Sequence, residues 1–269
     1  MDDPAFQSLM TAAMAALPTL RGAVWQPLSG GRTNHLWRVG DLVVKAYDPT
    51  AGTPLFPNDP AAEARALALL GPSGLAPHLA AAGDGWIAYA HVDGAPWRND
   101  PAPVATALHR LHRQPGAGFR DLASGSAAIL RQGHAIAGDC RATLPPPPPD
   151  PGLRPIGQSC LIHGDAVPGN IIVASGGVTL IDWQCPARGD PCEDLATFLS
   201  PAMQWLYRGA ILTAAEAERF LAAYPDSALT ARYSVLAPLF RWRMAAHCQW
   251  KAERGAADYA TALKLELDG

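Results

Sequence analysis

Short apolar runs separated by Gly-rich or Gly-Asp turns occupy the first third of the chain. Residues 24–28, 36–39 and 42–47 each read as a strand of a small antiparallel sheet. Asp59-Pro60 then predicts a helix start, with Asp at the N-cap and Pro in the first turn. That helix carries Glu63, Leu67 and Leu70 on one face, at i, i+4 and i+7, and stops at Gly71-Pro72. One more strand follows over 86–92, ending at Asp93-Gly94. Beyond it helical spacing takes over at 104–111 and 126–140. The run Pro145 to Pro149 cannot be helical and reads as an exposed polyproline connector. Short strands are expected at 161–162, 171–173 and 178–181. Thr213 and Glu216 form a capping box before an Ala-rich helix ending near Tyr224. A long helix over 235–254 and a shorter one around Tyr259 close the chain, and no internal repeat is seen. The pattern is α+β, with a strand-rich part at residues 1–92 and a larger, mainly helical part at 93–269.

Bulk composition narrows the function classes. The 269 residues are 49% hydrophobic and 17% charged, enough for one large domain or two modest lobes. A net charge of -3 supplies no basic excess for phosphate neutralisation, so a general nucleic-acid binder is not expected. Cys140, Cys160, Cys185, Cys192 and Cys248 show no CxxC pair and no zinc-like His spacing, as reduced thiols of a cytosolic protein would. The start Met1-Asp2-Asp3-Pro4 is acidic where a signal peptide would be basic, and no apolar run reaches the length of a membrane span. The expectation is a cytoplasmic protein without membrane or nucleic-acid partners, monomeric or homodimeric.

The chemistry concentrates between His163 and Asp182. There His163-Gly164-Asp165-Ala166-Val167-Pro168-Gly169-Asn170 precedes a short hairpin and Leu180-Ile181-Asp182-Trp183. An Asp five positions before an Asn, followed by a second Asp, is a set of groups that phosphoryl transfer needs. One carboxylate must orient an attacking hydroxyl and accept its proton, a role that suits Asp165. Two hard oxygen donors must hold magnesium against a triphosphate, which suits Asn170 and Asp182. Each residue alone is commonplace, and a polar cluster between apolar strands can be no more than a capped hairpin. The combined order and spacing weighs against that bland reading.

The HGDxxxxN and IDW segments resemble the signature of the aminoglycoside phosphotransferase and choline kinase superfamily, and the resemblance extends over nearly the whole chain. It implies a protein kinase-like two-lobed fold, ATP and magnesium as cofactors, Asp165 as base, and Asn170 and Asp182 as magnesium ligands. His163 would brace the loop rather than react. Arg188-Gly189-Asp190-Pro191 and Glu193-Asp194-Leu195-Ala196 resemble the family's GDPxxDLA element, in which Asp194 would bond the loop's backbone amides. A kinase also needs a glycine turn, a strand lysine and a helix glutamate. Ser29, Gly30 and Gly31 sit in a hairpin turn that resembles the GGxTN form of choline kinase-like members. Lys45 follows on the next strand, and Glu63, on the inward stripe of its helix, needs a cationic partner that Lys45 can supply. Adenine would dock on backbone groups of Ala90 and Val92, although many relatives carry Glu where Ala90 stands.

The acceptor is a hydroxyl of a small molecule, with a choline- or ethanolamine-like amino alcohol as first choice. Asp165, Trp183, Trp242 and Tyr259 are the residues taken to contact it. Aromatic residues late in the chain are similar to those with which choline kinases cage a quaternary ammonium. Against this, Leu239, Trp242, Ala246 and Trp250 lie near helical spacing and suit a core, Leu239 replaces an aromatic frequent in choline kinases, and Gln184 replaces a frequent Glu. An aminoglycoside, a sugar or thiamine are the other acceptors in the class. A catalytically inactive kinase-fold module that binds nucleotide or a partner is the reading from another class.

Overall fold

The computed structural model describes residues 4–28 and 33–268, in two compact units. The first unit is Met1–Gly94 with Thr179–Cys185, and the second is Ala95–Val178 with Pro186–Gly269. The division at Gly94 falls two residues past the expected one. The segment carrying Asp182 groups with the first unit, although the sequence reading placed it in the later part of the chain.

The first unit is built on a five-stranded antiparallel sheet of β1 (Trp25–Pro27), β2 (His35–Val39), β3 (Leu42–Ala46), β4 (Leu79–Gly83) and β5 (Trp86–Ala90), in the order β1-β2-β3-β5-β4. Side chains alternate across a strand. Val39, Val44, Trp86 and Ala88 accordingly pack with Ala13 and Leu20 in one core cluster, beside α1 (Pro4–Ala16). Lys45, one residue on from Val44, points away from that cluster and meets α2 (Pro60–Leu70). α2 begins as its sequence predicts, with the Asp59 carboxylate accepting the Ala62 N–H at 3.0 Å and Pro60 in the first turn. It buries Glu63, Ala66, Leu67 and Leu70. Two elements escape sequence reading. α1 has weak amphipathic patterning, and β4, Leu-Ala-Ala-Ala-Gly, has helix-forming residues that pairing with β5 overrides, with a bulge between Leu79 and Ala81.

The second unit is mainly helical. It contains β6 (Ala95–Pro96), α3 (Ala102–His112), α4 (Ser126–Gly138), β7 (Cys160–Ile162), β8 (Ile171–Ala174) and the start of β9 (Gly177–Leu180). After Pro186 come β10 (Ala187–Gly189), α5 (Cys192–Leu199), α6 (Pro201–Arg208), α7 (Ala214–Ala223), α8 (Ser227–Ala252) and α9 (Tyr259–Asp268). β7 and β10 pair antiparallel, with Ile162 opposite Ala187. α8 packs on α4, α5 and α9. It starts eight residues before the expected Val235, capped by Asp226 on the Leu229 N–H at 3.0 Å, and it continues through Pro238. Pro238 lies inside both the expected and the observed helix, so the missing N–H of a proline is tolerated there and does not account for the earlier start. The expected capping box of Thr213 and Glu216 is present at the start of α7. No cysteine forms a disulfide, and no helix among the described residues is long and apolar enough to cross a membrane.

Candidate functional site

In the first unit, three charged side chains meet on the sheet face opposite the α1 core. Lys45 and Glu63 are each 1% exposed, and Lys45 Nζ lies 2.6 Å from Glu63 Oε2. The same ammonium bonds Asp182 Oδ1. Tyr47, two residues on from Lys45 and just past the end of β3, donates its hydroxyl to Glu63 Oε2 at 2.6 Å. Burial alone would lower the Lys45 pKa, yet the carboxylates of Asp182 and Glu63 outweigh it and hold the ammonium above its usual range. One ammonium faces two carboxylates, and a set of this charge suits a further cation. Asp182 also has φ of 60°, in the left-handed region that non-glycine residues seldom adopt. Asp100, the other such residue described, has a local reason: its carbonyl accepts the Trp97 indole N–H and its carboxylate caps the Ala102 N–H. For Asp182 the side-chain partner is Lys45 on β3, far from its own loop, and the backbone there holds a sparsely populated conformation.

Gln184 finishes the same loop. It does not stand toward a metal: its Oε1 accepts the Thr33 hydroxyl at 3.1 Å and the Asn34 amide at 3.2 Å, while its carbonyl accepts the Asp59 N–H at 2.9 Å. It therefore ties the Asp182 loop to the segment just after residues 29–32 and to the start of α2. The sequence held no signal for this, because the partners lie about 150 positions away. Ser29, Gly30 and Gly31 lie outside the described residues. At the end of β5, the Ala90 N–H is taken by the His78 carbonyl at 2.8 Å, and Val92 follows past the strand end.

The second unit holds the loop from His163 to Asn170, between β7 and β8. Asp165 is 6% exposed and Asn170 7% exposed. The Asn170 amide NH2 donates to both the Asp165 carbonyl, at 3.0 Å, and the Asp165 carboxylate, at 3.1 Å. With both donors turned to Asp165, the hard Oδ1 is the atom left for a cation. His163 is fully buried and accepts the Asp165 N–H on Nδ1 at 3.2 Å, a bracing contact. Gly164 has φ of 80°, a backbone conformation that a side chain would strain.

Asp194, on α5, clasps this loop from behind. Its two oxygens accept the backbone N–H groups of His163 at 2.7 Å and Gly164 at 2.8 Å. His112 Nε2 lies 3.0 Å from the same carboxylate, and His112 Nδ1 lies 2.7 Å from the Tyr224 hydroxyl. Burial alone would raise the Asp194 pKa, but the His112 bond, with the nearby His163, holds it below the usual carboxylate range. His112 and Tyr224 were missed in the sequence, where they read as ordinary helix-end residues. Asp190 serves structure, accepting from Arg232 Nε at 2.8 Å and the Cys192 N–H at 3.1 Å.

The aromatic acceptor candidates take a different place from the one expected. Trp183 is fully buried and donates to the Leu180 carbonyl at 2.8 Å. Trp242 is 6% exposed, donates to the Pro145 carbonyl at 2.8 Å and packs on Gly133 and His134 of α4. Tyr259 is 5% exposed, with its ring against His247 and under the Lys251 ammonium. All three rings are buried, Trp242 and Tyr259 among the helices of the second unit and Trp183 over the Leu180 carbonyl at the end of β9, so none presents the open face that was expected to contact a substrate. Tyr207, on α6, instead lies near the loop: a Cβ added to Gly169 would fall 2.5 Å from its ring.

An antiparallel sheet carrying a buried Lys–Glu pair bonded to a partly exposed Asp, with a mainly helical unit bearing an HGDxxxxN loop, defines a protein kinase-like phosphotransferase fold. The model of the phosphotransferase enzyme family matches residues 24–239, and the chain belongs to that family, a small-molecule phosphotransferase. No curated protein matches the chain in sequence. Among solved structures it is similar to a choline/ethanolamine kinase family protein from Mesorhizobium loti, with TM-score 0.68 and 19% identity over 96% of this chain and 92% of that one. It is also similar to the choline kinase LicA from Streptococcus pneumoniae, with TM-score 0.62 and 18% identity over 96% and 99% of the two chains. The macrolide 2′-phosphotransferase MphH from Brachybacterium faecium matches with TM-score 0.60 and 19% identity over 96% of each chain. At these identities the likeness is one of fold.

Proposed function

We propose that the protein transfers the γ-phosphate of ATP to a hydroxyl of a small amino alcohol of the choline or ethanolamine type. The observation that carries the transfer is the buried Lys45 ammonium held between Glu63 and Asp182. A buried ion cluster of this kind costs desolvation free energy that an apolar core would not, so its retention is best explained by work on phosphates. In this reading Lys45 positions the phosphates and Glu63 fixes Lys45. The turn of Ser29, Gly30 and Gly31 offers backbone amides, and backbone groups of Ala90 and Val92 take the adenine. Asp165 orients the acceptor hydroxyl and accepts its proton. Asn170 and Asp182 are the residues that would hold magnesium, which when bound supplies charge neutralisation on the phosphates. The amino-alcohol choice is supported by the names of two relatives of like fold, a choline/ethanolamine kinase family protein and a choline kinase.

An acceptor-dependent ADP-release assay across choline, ethanolamine, sugars, thiamine and aminoglycosides tests this. The expected result is the highest kcat/KM for an amino alcohol. A sugar or aminoglycoside in first place would overturn the acceptor, and no acceptor-dependent release from any would favour a nucleotide- or partner-binding module. Asp165→Ala should lower turnover by about 10²–10⁴-fold while leaving ATP affinity largely intact. Asp182→Ala should weaken magnesium-dependent nucleotide binding in calorimetry, and unchanged affinity would reject its metal role.

A further inference from the structure

Behind the Asp194 clasp, the second unit holds an open cavity of about 650 Å³, the size of a small-ligand site. Part of its lining is apolar, from Ile156, Cys160, Pro191 and Leu229. Charge at the cavity is mainly positive. Arg113 is exposed and forms no ion pair among the described residues, and Arg188 is paired with Asp121 at 2.6 Å. The one lining carboxylate, Asp226, is already committed to the Leu229 N–H at the start of α8. His109, also in the lining, has its pKa lowered by burial and then by His112 and Arg113, against the pull of Asp226.

Two further lining residues are the ones that support the catalytic loop from behind. Tyr224 and His112 both border the cavity, and the bonds run from Tyr224 to His112, to Asp194, and to the N–H groups of His163 and Gly164. A ligand group competing for the Tyr224 hydroxyl or shifting its ring acts on the last buried partner of that chain. We propose that this cavity binds a compact organic anion, a carboxylate or phosphate monoester on a small apolar body, and that Tyr224 and His112 transmit its occupancy to the HGD loop through Asp194.

The test titrates benzoate and phenyl phosphate into the full chain, reading affinity by ligand-observed NMR and the loop by amide hydrogen exchange over residues 163–165. The two probes separate a carboxylate site from a phosphate site. Neither readout needs turnover, so failure here is distinct from failure of the proposed phosphotransfer. Binding of at least one probe is expected, weakened about tenfold or more by R113E, which loses a charge-assisted contact. Arg113 is exposed, so this variant keeps the fold. Exchange at 163–165 should change on binding in the unmodified protein and stay unchanged in Y224F, which still binds. No binding of either probe, or undiminished binding in R113E, overturns the site. Binding without a change in loop exchange, or the same change in Y224F, overturns the transmission.

Discussion

Lys45 shows how one buried position can be a liability to the fold and, in the proposed reading, the residue that positions the phosphates. Its ammonium is 1% exposed and survives there because Glu63 and Asp182 accept from it. Removing it leaves the Glu63 carboxylate buried without its cation, a situation that costs about 3–5 kcal/mol in general. Lys45→Met should therefore lower unfolding free energy by that order and abolish ATP-dependent turnover. Lys45→Met/Glu63→Leu should recover part of the stability, though not all, since the Tyr47 hydroxyl and the Trp183 N–H also bond Glu63. Turnover should stay lost in the double variant. Denaturant melts beside activity assays distinguish the two effects, and a double variant with restored turnover would assign the cluster a purely structural role. The pair itself was legible in the sequence, because a glutamate on an inward helical stripe demands a cation. The role of Gln184 was not, because Thr33 and Asn34 reach it only through the folded chain.

At the scale of elements, α4 and α8 make the largest helix contact of the second unit's core, and Gly133 decides how close they come. A Cβ there would fall 2.4 Å from Trp242 Cζ3. Gly133→Ala gains up to about 1 kcal/mol of helix propensity but overpacks against a ring, which costs about 1–3 kcal/mol, so net destabilisation is expected. Gly138→Ala, in the same helix with nothing within 4 Å of the added carbon, should be neutral or stabilising. Thermal melts of the two variants that coincide would reject the packing account. The same contact explains why Trp242 was ambiguous in sequence. Helical spacing places it on an inward stripe, but whether that stripe faces a ligand or a glycine on another helix is decided more than 100 residues away. α1 and β4 were missed for related reasons, since weak patterning and Ala-rich composition leave the choice of element to tertiary partners.

For the molecule as a whole, His247 ties stability to pH. Burial, with smaller contributions from the Lys251 and Arg243 cations, holds its imidazole down at about 3 against an ordinary 6.5. The unfolded chain takes up a proton near 6.5 where the folded chain does not, so this contribution is full above that pH and falls as pH drops toward 3. Between pH 7 and pH 5 it should remove about 2 kcal/mol, read as a lower denaturation midpoint, and His247→Gln should flatten the difference. An unchanged pH dependence in that variant would show that the imidazole is protonated inside the fold. The sequence by itself determined the sheet-then-helix order, the capped starts of α2 and α7, the Lys45–Glu63 pairing and the place of the HGDxxxxN segment on a turn between short strands. These depend on period, caps and spacing, which are local properties of a chain. Tertiary structure alone decided that residues 179–185 join the first unit, that Trp183, Trp242 and Tyr259 pack inward, and that Tyr224 and His112 stand behind Asp194. Those outcomes depend on which distant surfaces meet, because burial belongs to the pair of surfaces and not to either segment.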